Sequence, residues 1–214
     1  MKPIVISLCD RSANAIADWS DAGYECWALD IYHDTGVGPL SGGIRLIGGD
    51  VRTFKLPTHR EIAFMFAFPP CTHLAVSGAR WFKGKGLRLL AEAIDIVASC
   101  AELCEQAGCP YLIENPVSTL STYWRKPDYK FDPCDYAGYL NDPGTDMYTK
   151  CTCLWTGGGF IMPPPIKEEP LYGSLMHMMP PSPDRDYLRS VTPRGFARAV
   201  FEYNEPSRKA GRTS

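Results

Sequence analysis

A cysteine that follows two prolines, in Phe68-Pro69-Pro70-Cys71, is the residue of this chain best suited to covalent chemistry. A cysteine nucleophile must be reachable and partly thiolate, against an ordinary pKa of about 8.5. The prolines fix the backbone before it and stiffen its loop. Most cysteines are buried and inert, so the tripeptide needs a second signal. Glu114-Asn115-Pro116 supplies an acid and an amide at the end of a later apolar run. Three further acids stand at similar boundaries. They are Asp10 in Cys9-Asp10-Arg11-Ser12, Asp30 before Ile31, and Asp50 before Val51.

Each of these groups closes a strand-like segment. Residues 3–9 are a β-branched apolar run. Ser12 is a candidate N-cap for a helix over 13–22, with Ile16, Ala17 and Trp19 at helical spacing and Gly23 as its stop. Residues 24–30 and 44–47 read as a second and a third strand. Residues 62–68 form a continuous apolar run, as in a strand buried on both faces. Residues 87–106 place Leu90, Ile94, Val97, Ala101 and Cys104 on one helical stripe. Residues 110–114 read as the next strand. Strands alternating with helices predict an α/β fold with a doubly wound, mostly parallel sheet. Ligands bind such sheets at the carboxyl ends of the strands, where all five polar groups fall. An acid ending the second strand commonly accepts ribose hydroxyls.

Beyond residue 120 proline, glycine and aromatics increase and helical periodicity fades. Residues 151–155 read as one more strand and 194–203 as a short helix. The expected division is a core over 1–156, a loop-rich appendage over 157–190, a final helix over 191–206 packing back on the core, and a mobile tail over 207–214.

Composition sets further bounds. The 214 residues are 45% apolar and 21% charged, with net charge −2. No apolar run approaches the ~20 residues that span a bilayer. The short, quickly polar N-terminus reads as a strand rather than a signal peptide. A cytoplasmic protein with reduced thiols is expected, and the odd count of nine cysteines argues against a disulfide framework. Cys134, Cys151 and Cys153 with His177 lack the usual zinc-knuckle spacing, so no metal site is expected. Polyanion contact must come from local patches. Arg80, Lys83, Lys85 and Arg88, interleaved with Trp81 and Phe82, form one. Such a mixture suits phosphate contact and base stacking. Arg185, Arg189, Arg194 and Arg198 form another.

Taken together, Phe68-Pro69-Pro70-Cys71 and Glu114-Asn115-Pro116 resemble the catalytic loop and the Glu-Asn-Val motif of the C5-cytosine DNA methyltransferase family. The short length is similar to forms carried by bacteriophages, which would place the protein in the host cytoplasm. The resemblance covers roughly residues 3–156 and the final helix. It implies a Rossmann-like fold that uses S-adenosylmethionine, with Cys71, Glu114 and Asn115 catalytic. It also implies a cofactor pocket of Asp10, Arg11, Ser12, Asp30 (ribose), Ile31, Asp50 (adenine), Val51 and Pro69. Thr192-Pro193-Arg194-Gly195-Phe196-Ala197 would close that pocket. The implied partner is cytosine-containing DNA, held by Arg80, Lys83, Lys85, Arg88, Lys150 and Arg194. Three departures stand out. Arg11 and Ala13 replace the expected glycines of the first loop. The family's arginine-bearing motif is not plain, with Lys150 or Arg125 as substitutes. The large target-recognition domain is missing, which implies relaxed or short sequence specificity. RNA or a free cytosine nucleotide is the alternative substrate, and a non-catalytic nucleoside- or DNA-binding relative is the alternative class.

Overall fold

All five residues of β1 (Ile4–Leu8) are fully buried, and the strand lies inside the sheet. The computed structural model describes residues 2–76, 82–174, 187 and 190–210. Its strands are β1, β2 (Glu25–Ser41), β3 (Ile44–Gly48), β4 (Ile62–Ala67), β5 (Tyr111–Pro116), β6 (Tyr129–Phe131) and β7 (Thr152–Gly157). They form one sheet in the order β3-β2-β1-β4-β5-β7-β6. β2, β1, β4 and β5 are parallel, and β7 runs antiparallel to both β5 and β6. The doubly wound, mostly parallel sheet expected from the sequence is the observed architecture.

Alternation within the strands builds a layer on each face. Ile4, Ile6, Leu8, Met65 and Ala67 pack toward α2 (Phe82–Ala107), which contributes Ala93, Val97, Cys100 and Cys104. Val5, Phe64 and Phe66 face the other way, toward Ile16, Trp19, Phe196 and Val200. The last four come from the turn Asn14–Ile16, α1 (Ala17–Asp21) and α4 (Arg194–Asn204). Regular helix in α2 starts after Gly86, whose φ of 79° breaks the run, in agreement with the start expected at residue 87.

Five local expectations need correction. First, Ser12 is not the cap of a helix starting at 13. The chain enters through Ala13, at φ 55°, into a 3-10 turn, and Ser12 Oγ accepts from Asn14 N at 3.2 Å. Second, no described helix separates β2 from β3 or β3 from β4. β2 instead continues past Asp30 and doubles back. Residues 26–30 pair with 44–48 in rising register, whereas Val37, Leu40 and Ser41 pair with Ile47, Arg45 and Ile44 in falling register. β3 is thus embraced on both edges by one bent strand. The doubling back falls between Asp30 and Val37, where Asp30, Thr35 and Gly36 all pair with Gly48, and Gly42-Gly43, at φ 53° and 81°, then turns the returning leg into β3. A two-residue hairpin loop of that hand needs positive φ at both positions. Third, β6 lies in a stretch read as irregular. Fourth, a short α3 (Leu120–Tyr123) follows β5. Fifth, part of the expected mobile tail is α5 (Pro206–Ala210). Ser207 Oγ and Arg208 N donate to Glu205, and the Arg208 guanidinium lies over Phe201.

No described helix is long and apolar enough to cross a membrane. None of the nine cysteines, all among the described residues, forms a disulfide. The described residues contain no cluster of metal-ligating side chains. Residues 158–174 contain no helix or strand.

Candidate active site

Asn115 joins the two motifs. It is fully buried at the end of β5, and its Nδ2 donates to the Pro69 carbonyl at 2.9 Å. The segments that follow each motif are stitched together as well. Val76 N donates to Val117 O at 3.1 Å and Thr119 N donates to Leu74 O at 3.0 Å. Leu74 N and Ala75 N donate back to Cys71 O, at 2.9 and 2.8 Å, so Cys71 opens a single tight turn. The cysteine is half-buried, while Pro69 beside it is buried. The loop is therefore held from both ends, with Cys71 only partly covered.

Glu114 is the second element of the constellation. Burial pushes its carboxyl up from the ordinary carboxylate range, and the Lys150 charge pulls it part of the way back. Its Oε1 is closed off from solvent and meets no hydrogen-bond partner among the described residues. A partnerless buried carboxyl favours its protonated form. Asn115 Oδ1 is orphaned in the same way. Each of these unsatisfied atoms is a place where a polar ligand group would be stabilised, on opposite faces of the strand. Lys150 lies just before β7, whose Thr152 and Cys153 pair with Pro116 and Asn115. That register brings Lys150 to the strand end carrying Glu114. Arg125 is elsewhere, bound to Asp128 at 2.8 Å and to the Thr156 carbonyl.

The ends of β1, β2 and β3 carry the residues expected at a nucleoside. Asp30 is buried, and its Oδ1 accepts from Tyr32 N at 2.9 Å. Its Oδ2 takes no hydrogen bond from the described residues. Ile31 beside it is 64% exposed. A carboxylate oxygen next to an exposed aliphatic face fits a ribose and an adenine. Asp50 is half-exposed and already engaged, because Arg52 Nε contacts both its oxygens at 3.0 Å and holds its carboxyl below the usual range. Adenine would have to share that acceptor. Cys9 and Ala13 adopt left-handed φ of 54° and 55°, so the first loop makes glycine-type turns without glycine. The Arg11 guanidinium lies between the Tyr32 and Tyr187 rings, 5.0 and 4.7 Å from their centroids. His33 ties the β2 extension to this loop, with Nδ1 3.1 Å from Ala28 O and Nε2 3.3 Å from Arg11 O. None of Tyr32, His33 and Tyr187 was singled out by the sequence, since none belongs to a motif.

Asp10 is buried within the first loop. Its carboxylate accepts from Ser7 Oγ at 2.7 Å, from Ser12 N and Oγ at 3.1 and 3.0 Å, and from Ala13 N at 2.8 Å. These bonds shape the first loop around Asp10. Arg194 is also engaged. It donates to Asn14 O at 2.6 Å and to the buried Asp18 at 3.1 Å, fastening α4 to α1. Arg198 joins the same Asp18. Gly195 permits this docking, because a Cβ there would meet the Tyr136 carbonyl oxygen at 2.2 Å. Lys83 and Arg88 are exposed, and Lys85 donates to Thr72 O at 2.7 Å. Arg80, Trp81, His177, Arg185 and Arg189 lie outside the described residues.

The sheet is doubly wound and mostly parallel, with β7 antiparallel beside β5. No protein-family model and no curated protein matches the chain. Among solved structures, it is similar to a protein assigned as a DNA modification methyltransferase, encoded within a prophage of E. coli. The identity is 12% and the TM-score 0.47, over 73% of this chain and 46% of that one. It is also similar to the glycopeptide N-methyltransferase MtfA, at 16% identity and TM-score 0.30, over 61% and 53% of the two chains. A further MtfA structure, complexed with S-adenosyl-L-homocysteine, aligns at 16% identity and TM-score 0.32, over 73% and 57%. The chain spans about half the length of the first two.

Proposed function

We propose that the protein is a methyltransferase that uses S-adenosylmethionine to methylate C5 of cytosine in DNA, with Cys71 as its nucleophile. The observation that carries this reading is the hydrogen bond from Asn115 to the Pro69 carbonyl. It couples the cysteine loop to the strand end that bears a carboxyl biased toward its protonated state.

The cofactor would be held by Asp30 at its ribose, with Ile31, Val51 and Pro69 around its adenine and Arg11 and Ser12 along the first loop. When bound it supplies an electrophilic methyl group. The chain's own residues do the rest. The target cytosine must leave its stack to reach Cys71. The Cys71 thiolate adds to C6, forming a C–S bond and pushing electron density toward C5 and N3. Glu114 donates a proton or a hydrogen bond at N3, which disperses that charge. The electron-rich C5 then takes the methyl group. Loss of the C5 proton and breakage of the C6–S bond regenerate the thiolate and the aromatic ring. Splitting the substitution into addition and elimination lowers each barrier. Asn115 positions the loop without touching the ring. Cys71→Ser should abolish methyl transfer to DNA while leaving the melting temperature and cofactor binding in place. Near-normal methylation by this variant would refute the assignment.

A further inference from the structure

Beside Cys71 lies a groove of about 350 Å³ that the mechanism does not use. His73, Lys83, Lys85, Leu87 and Tyr123 line it. It is fixed to the cysteine loop at two points. Lys85 Nζ donates to Thr72 O, and His73 belongs to the turn that Cys71 opens. His73 is two residues from Cys71, within about 7 Å by chain reach. The groove is therefore within reach of a nucleotide joined to a cytosine at Cys71. The lining suits one. The two lysines supply positive charge on a chain whose net charge is −2. His73 Nδ1 is closed off from solvent and has no partner among the described residues. Leu87 is 84% exposed at the Gly86 break and Tyr123 is 60% exposed, so an aliphatic and an aromatic surface stand open in a charged groove. The volume is that of one small-ligand site, which matches a nucleotide.

We propose that this groove is a subsite for the nucleotide adjoining the target cytosine, and that the protein takes single-stranded DNA. Lys83 and Lys85 grip a backbone phosphate, and an unstacked base lies on Tyr123 and Leu87. The orientation of the strand rests on the reading of Cys71 as the cytosine nucleophile; the binding can be measured without methyl transfer. The probe is a fluorescently labelled ten-nucleotide DNA strand with one central cytosine, titrated by anisotropy with the full chain at several salt concentrations. The same strand as a duplex and as RNA gives the comparison arms. The single DNA strand should bind at least about ten-fold more tightly than the duplex. Tyr123→Ala should weaken it roughly ten-fold by removing the stacking face, and Tyr123→Phe should restore it. Lys83→Ala should reduce the slope of log affinity against log salt by about 0.7. Unchanged melting temperatures would show that these variants are folded. Duplex preferred over single strand, RNA preferred over DNA, or undiminished binding by both Tyr123→Ala and Lys83→Ala would overturn the proposal. Failure of the catalytic reading looks different, because strands would bind through the groove without being methylated.

Discussion

Replacing Asn115 by alanine separates positioning from folding. The truncation removes the donor to the Pro69 carbonyl, and leaving a buried carbonyl unpaired costs about 1–3 kcal/mol. It also removes Oδ1, an acceptor already buried without a partner, which returns a similar amount. The two effects nearly cancel. A net loss of about 1 kcal/mol is expected, a fall of about 2–4 °C in melting temperature for a chain of this size. Catalysis has no such compensation. Freed from Asn115, the Pro69-Pro70-Cys71 loop loses its direct tie to β5, and a misplacement of about 1 Å can cost 100-fold in rate. That factor corresponds to about 2.7 kcal/mol of barrier. The assay pairs thermal unfolding with single-turnover methyl transfer to DNA, and calorimetry checks that cofactor affinity is unchanged. A melting temperature lowered by more than 10 °C would show that the amide is chiefly structural. A rate within three-fold of wild type would show that the tie does not position Cys71.

Other consequences are open to direct measurement. The folded carboxyl of Glu114 is raised above its unfolded value of 4.5 by burial. Its contribution to stability is therefore fully present below pH 4.5 and is lost as pH rises through the folded value. Glu114→Gln should match wild type near pH 4 and melt at a higher temperature near pH 8, while losing methyl transfer at both; equal melting at pH 8 would count against the buried acid. Asp30→Asn weakens a charge-assisted acceptor worth about 1.5–3 kcal/mol. S-adenosylmethionine should bind about 10- to 100-fold more weakly by calorimetry, and unchanged affinity would remove Asp30 from the cofactor site. Gly195→Ala drives a methyl group into the Tyr136 carbonyl. Overpacking of this kind costs about 1–3 kcal/mol, so thermal denaturation should begin several degrees earlier.

The sequence makes the interior of the sheet readable because its strands are long and apolar. Residues 62–68 carry seven apolar positions or prolines without interruption, and β4 spans Ile62–Ala67. The helix expected from residue 87 matches the regular part of α2, because Gly86 interrupts the pattern where it interrupts the backbone. β6 has only Tyr129, Lys130 and Phe131, too few to show a period. The turn from β2 into β3 had a signal, since Gly42-Gly43 is a hairpin turn sequence, but the doubling back of β2 between residues 30 and 37 had none, and the acid at residue 30 argued for a strand end there. In the site, two motifs 43 positions apart could be paired from residue type alone. The hydrogen bonds that engage Asp10 and Arg194 could not be read. Arg194 meets Asn14 and Asp18, about 180 residues away, and no local pattern distinguishes it from a surface arginine. Lys150 reaches the neighbourhood of Glu114 only through the antiparallel pairing of β7 with β5.

The claim at the centre of this account is a covalent bond between Cys71 and C6 of cytosine. An oligonucleotide in which the target carries 5-fluorocytosine tests it, because fluorine at C5 cannot leave as a proton and the elimination stalls. Intact-mass measurement of the protein incubated with that strand and S-adenosylmethionine should show a stable adduct of one protein, one strand and one methyl group. Peptide mapping should place it on Cys71, and Cys71→Ser should form none. Absence of any adduct under conditions where the cofactor binds, or an adduct mapped to another residue, would contradict the account.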